Sequence, residues 1–248
     1  MPPATCSPTW AQPSAKGDKI YVACSRSDEI VEIDRERWSV ARRFSLAKGK
    51  EGPVAGHAHH ATEPTAHPPA SRVPAQPAAR HRMSPATCSP TWAQPSAKGD
   101  KIYVACNRSD EIVEIDRERW SVARRFKTGR GPYNLAVTPD GRLLIATLKQ
   151  GGAVEVFDLA DGKRVMNAKT STTVAHGVVT SPDSRYAFVS CEGVGAAPGR
   201  VDVFDLRAFS RVGSVDVAQQ ASGIAFWKME PAPSKMEPAN RPRETNLP

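Results

Sequence analysis

Short apolar runs recur in a fixed order three times between residues 83 and 217, and this period constrains the fold more than any other feature of the chain. KIYVAC (101–106), LLIATL (143–148) and YAFVSC (186–191) are one set; EIVEID (111–116), AVEVFD (153–158) and RVDVFD (200–205) are the next. SVARRF (121–126), KRVMNA (163–168) and RVGSVDV (211–217) close the units, while LAVTPDG (135–141) and GVVTSPDS (177–184) open the second and third. Runs this short, rich in β-branched residues and bounded by turn residues, read as strands. Four strands in roughly 40 to 45 residues is the period of a β-propeller blade. The chain is therefore predicted to be all-β, built of four-stranded antiparallel blades.

The turn chemistry agrees. Asp140-Gly141 and Asp161-Gly162 suit tight hairpins, where glycine adopts positive φ without a Cβ clash. Asp116, Asp158 and Asp205 end the third strands at one repeated position. Their expected role is an Asx-type turn, the carboxylate accepting nearby backbone N–H groups, rather than catalysis.

A second, younger repetition overlies the first. Residues 1–44 recur as 83–126 with two differences, Pro2/Ser84 and Ser25/Asn107. Residues 1–46 thus read as a duplicated blade unit, and residues 83–230 as the blades proper: 83–128, 129–170, 171–217, and a further start at ASGIAFW (221–227). About 3 to 4 blades fall short of the four to eight that close a ring, so an incomplete or open propeller is expected. Its bare sheet edges invite self-association. The copied unit, especially Lys19 to Cys24 and Glu29 to Asp34, is expected to pack at the open end near Ile224, beside the ASGIAFW strand.

The blades resemble the YVTN repeats of bacterial WD40-like β-propellers, on Tyr103-Val104-Ala105-Cys106, on Pro139-Asp140-Gly141 and on the V-x-V-x-D third strands. The resemblance covers about residues 85–227 and the copied unit. It implies the propeller frame and a periplasmic or secreted origin, although MPPATCSPTW at the N-terminus lacks the basic and apolar regions of an export signal. One such frame hosts enzymes, binders and surface proteins alike, so function has to be read from sites.

Residues 47–82 are rich in Pro, Ala and His and poor in large apolar side chains, and 231–248 has a similar character. Both are expected to be disordered, as linker and tail. The net charge of +8 is spread along the chain, with no segment above the +3 of residues 47–82. Without a basic stripe or interleaved aromatics, nucleic acid is not an expected partner. No run reaches the 18 or so apolar residues of a membrane span.

The candidate chemistry is sparse. Cys106 and Cys191 share a strand position with Leu148, which reads as a buried packing site for an inert thiol; a Cys88–Cys106 disulfide is the alternative. His57, His59 and His60 form H-x-H-H and are weak metal candidates, since a Pro/Ala-rich coil supplies no fixed geometry. His176, aligned with Tyr133 and Ser222 ahead of the inner strands, is placed at the mouth of a central channel. Tyr133, Asn134 and His176 are the candidate ligand-binding residues. There is no G-x-S-x-G, H-E-x-x-H, C-x-x-C-H or phosphate loop, so no catalytic residues are assigned and no cofactor is expected. The reading is a non-enzymatic interaction module with a protein or surface partner. The alternative is the remnant of a propeller enzyme, lactonase-like or a quinoprotein or haem dehydrogenase, with an incomplete active site.

Overall fold

The computed structural model describes residues 6–54 and 87–226, and every regular element within them is a strand. Four antiparallel meanders follow one another. The first sheet holds β1 (Pro8–Pro13), β2 (Lys19–Cys24), β3 (Glu29–Asp34), β4 (Ser39–Ser45) and a short β5 (Gly52–Pro53). The second holds β6 (Pro90–Pro95), β7 (Lys101–Cys106), β8 (Glu111–Asp116) and β9 (Ser121–Lys127). The third holds β10 (Pro132–Val137), β11 (Leu143–Leu148), β12 (Ala153–Asp158) and β13 (Arg164–Lys169). The fourth holds β14 (Val174–Thr180), β15 (Tyr186–Glu192), β16 (Gly199–Asp205) and β17 (Ser210–Val217). These are the blades of an incomplete propeller.

The sheets stack face to face in chain order, each giving one face to its predecessor and the other to its successor. Tyr21, Ala23, Ile30 and Phe44 of the first sheet meet Ile102, Val104, Ile115 and Trp120 of the second. Tyr103, Ala105, Ile112 and Phe126, on the other face of the second sheet, meet Leu135, Leu144, Ala146 and Phe157. Ile145, Val154, Val156 and Met166 then meet Val178, Ala187, Val189 and Phe204. Double-sided cover explains why LLIATL is apolar throughout and buried at all six positions. β17, an outer edge strand, is exposed along its whole length.

The copied unit lies elsewhere than expected. It does not reach Ile224: it docks on its own twin, as the blade ahead of the second sheet, with Trp10 stacked on Trp92 at a centroid distance of 3.8 Å. The reason is complementarity. The rear face of the second sheet needs the forward face of a blade, and the first copy carries one. At the far end, residues 219–226 already sit where the inner strand of a next blade would begin: Gly193 N donates to Gln219 O, and Phe226 lies 5.9 Å from Phe188. β5 joins the first sheet from within residues 47–82; residues 55–82 and the 231–248 tail lie outside the described residues.

The cysteine reading also needs correction. Cys106 is not a packing thiol but is bonded to Cys88, and Cys24 is likewise bonded to Cys6. The antiparallel ladder brings Pro90 opposite Cys106, so a cysteine two residues ahead of Pro90 reaches it. Ahead of β10 and β14 no such cysteine exists, and Cys191 stays free and buried. Burial pushes its thiol up to about 12, with the nearby Asp202 carboxylate acting in the same sense.

The turn aspartates behave as expected. Asp34, Asp116, Asp158 and Asp205 accept backbone N–H bonds from Arg37, Arg119, Ala160 and Arg207 at 2.8–2.9 Å. The residue that leads into the fourth strand is left-handed in all four sheets. It is Gly162 in the third, where this conformation is unstrained, but Trp38, Trp120 and Phe209 in the others, with φ of 49°, 52° and 51°.

Candidate functional site

One hydrogen bond recurs at the inner end of each joint. Thr9 Oγ1 donates to Pro90 O (3.0 Å), Thr91 Oγ1 to Tyr133 O (2.8 Å), Thr147 Oγ1 to His176 O (2.7 Å) and Ser190 Oγ to Ser222 O (2.9 Å). In the first two sheets the hydroxyl sits on the first strand, because Ala23 and Ala105 occupy the second-strand position that holds Thr147 and Ser190 in the others. Thr147 Oγ1 and Ser190 Oγ also accept, from Asn134 N at 3.1 Å and Gly177 N at 2.9 Å. A Cβ at Gly177 would lie 2.8 Å from Ser222 O, so this close approach requires glycine. Thr147→Val strands a buried N–H and a carbonyl, and is expected to lower stability by about 1–3 kcal/mol in urea unfolding.

The clasp fixes Tyr133 and His176 side by side at the rim where the second strands end. Their rings lie 4.6 Å apart, tilted by 56°. Two residues that the sequence did not single out complete the group. Lys149, just past β11, places its ammonium 4.6 Å from the Tyr133 ring centroid. Glu192, at the end of β15, accepts from Lys149 Nζ on Oε1 at 3.3 Å, and the same oxygen lies 3.3 Å from His176 Nε2. Asn134 is not part of this surface in the same way: it is buried, and its Oδ1 has no hydrogen-bond partner. Lys149 and Glu192 are each the residue that follows a second strand's last inward position, a signal visible only once the strands are aligned in space.

His176 Nδ1 faces Ser222 O at 2.8 Å, and since a carbonyl only accepts, the proton sits on Nδ1. Burial lowers the imidazole's affinity for a second proton, and the Lys149 ammonium adds to this; Glu192 and the Ser222 bond oppose them without prevailing. The folded pKa thus lies below the ordinary 6.5. The folded state then binds fewer protons than the unfolded chain, so this stability is fully present above pH 6.5 and declines as pH falls below it. His176→Gln is expected to flatten the fall in melting temperature between pH 7 and 5.

His57, His59 and His60 lie outside the described residues. Among the described residues no cluster of three or more His, Cys, Asp or Glu side chains is placed to hold a metal ion. No helix among them is long and apolar enough to cross a membrane.

The model of the YNCE-like beta-propeller family matches residues 78–222. No curated protein matches the chain. Among solved structures, Kuenenia stuttgartiensis hydrazine synthase is similar, with a TM-score of 0.66 and 16% identity over 85% of this chain. This chain spans only 49% of that chain's length, and at such identity the likeness concerns the fold alone.

Proposed function

The chain belongs to the YNCE-like beta-propeller family, and on that premise we propose that it is a non-enzymatic interaction module whose partner, a protein or a surface, docks on the rim formed by Tyr133, Lys149, His176 and Glu192. One observation carries the reading: the rim's two charged groups, Lys149 and Glu192, are paired with each other, and neither ring nitrogen of His176 faces open space for a substrate. Lys149 is bound to Glu192, and His176 has Nδ1 committed to Ser222 O while its Nε2 is turned toward Glu192 Oε1, 3.3 Å away. A general base needs a free lone pair facing substrate, and a nucleophile needs a base beside it. The rim offers instead a half-buried aromatic and polar surface, with Tyr133 as the aromatic anchor a partner can cover. The two disulfides support work in an oxidising compartment.

The test is to assay the purified chain against lactones and primary amines, with Ca²⁺ and quinone or haem added. No turnover is expected. Turnover that His176→Ala abolishes would overturn the reading in favour of a propeller enzyme.

A further inference from the structure

The first two sheets have the same residues on their forward faces but receive different neighbours, so each serves as a control for the other. In the groove between the first and second sheets, Arg117 of the second reaches back across the joint. Its Nε lies 3.4 Å from Glu32 Oε2 and its NH2 3.9 Å from Asp18 Oδ2. Glu32 is held on both oxygens by Arg42, whose Nε takes Oε1 at 3.0 Å and whose NH2 takes Oε2 at 2.8 Å, and Arg117 is a second guanidinium on Oε2.

One joint later the acids recur as Asp100 and Glu114, but the arginine does not. Its place after the third-strand aspartate is held by Leu159, anchored by the same backbone bond: Leu159 N donates to Arg142 O as Arg117 N donates to Asp100 O. Leu159 packs into the apolar joint and sends no charge across. Glu114 is 5% exposed and lines the groove. Arg124 Nε and NH2 both bind its Oε2, at 2.9 and 2.6 Å, and its Oε1 has no hydrogen-bond donor among the described residues. The groove is also larger, 670 Å³ against 410 Å³ where Arg117 lies. At the third joint the acid itself is gone, replaced by Val156.

We propose that the groove between the second and third sheets binds a guanidinium group, from a small molecule or an arginine side chain of a polypeptide, seated between Glu114 Oε1 and Asp100 as Arg117 is seated between Glu32 and Asp18. A carboxylate oxygen that opens on a groove and has no donor among the described residues can accept from a charged planar donor, and Asp100 on the same groove adds a second acceptor. The local cations do not forbid it. Lys101 and Arg124 are bound to Asp116 and Glu114, and Lys98 also lines the first groove, where a guanidinium is already accommodated. Arg142 at the mouth is the added positive charge, so Arg142→Ala is expected to tighten binding. This site lies at the rim opposite Tyr133 and His176 and does not depend on the function proposed for them.

Calorimetric titration of the whole chain with Nα-acetyl-arginine amide is expected to show one site. Leu159→Arg, which supplies the missing guanidinium internally, should weaken binding about tenfold or more, the loss of one charge-assisted contact. Arg117→Leu should open the twin groove and raise the stoichiometry from one to two. Replacing the probe with Nα-acetyl-lysine amide should weaken binding, because a point charge cannot bridge both acids. A Gly-Gly-Arg-Gly-Gly peptide separates the sources: tighter binding than the single residue indicates a polypeptide's arginine, equal binding a small molecule, and either supports the site. No saturable binding, or binding that Leu159→Arg leaves unchanged, overturns the proposal.

Discussion

Trp120→Ala is expected to lower the unfolding free energy by about 3–5 kcal/mol, whereas Trp38→Ala, in an identical stretch of sequence, should change it by less than about 0.5 kcal/mol. The difference lies in the neighbour. Trp120 is 5% exposed because the first sheet covers it: its indole N–H donates to Arg43 O at 2.9 Å, its ring meets the Phe44 edge at 5.7 Å, and the Arg42 guanidinium lies 4.1 Å from its centroid. Trp38 has no described sheet ahead of it and is 73% exposed. Both tryptophans adopt a left-handed backbone, which costs a bulky residue about 1–2 kcal/mol. At Trp120 the docking offsets that cost; at Trp38 no contact among the described residues does. Trp38→Gly should therefore stabilise the protein and Trp120→Gly destabilise it. Denaturant midpoints of the four variants check both signs, and equal losses at the two sites would contradict the stacking order.

Removing the Cys88–Cys106 bridge by replacing both cysteines with alanine should cost about 3 kcal/mol, the chain-entropy value for a loop of this length. The bridge joins residues 18 apart and ties the lead-in of β6 to the end of β7. Cys6–Cys24 spans the same separation in the first sheet, so full reduction should cost more than either bridge alone. Thiol counting gives an independent check. Cys191 is buried and its thiol is pushed up to about 12, so the native chain should resist iodoacetamide and the unreduced, denatured chain should react once. Three or more reactive thiols before reduction would contradict the pairing.

The blades were legible in the sequence because each strand carries its own evidence: apolar runs of six residues, Asp-Gly turns, and aspartates that recur at one place. The third-strand aspartates did in the structure what their short carboxylates imply. What failed to show in the sequence was whatever depends on the neighbouring sheet. Cys106 looked like a packing residue because its alignment with Leu148 and Cys191 was followed along one strand, while its partner Cys88 sits ahead of another. The docking place of the first sheet does not follow from its own letters, because a near-identical copy can be matched to any open sheet face, and its complement is its twin's rear face. Of the candidate rim residues, Tyr133 and His176 do meet, and Asn134 is buried. Lys149 and Glu192 gave no signal, since a lysine and a glutamate at strand ends are ordinary surface residues until two sheets bring them together.

The order of the stack is the central claim, and amide-type exchange of the indole N–H protons tests it most directly. Spectra assigned with single Trp→Phe variants should show the Trp120 Nε1–H protected, since it is buried and bonded to Arg43 O, and the Trp38 Nε1–H exchanging at a solvent-like rate. Equal exchange at the two indoles, or protection at Trp38 instead of Trp120, would contradict the docking of the first sheet on its twin.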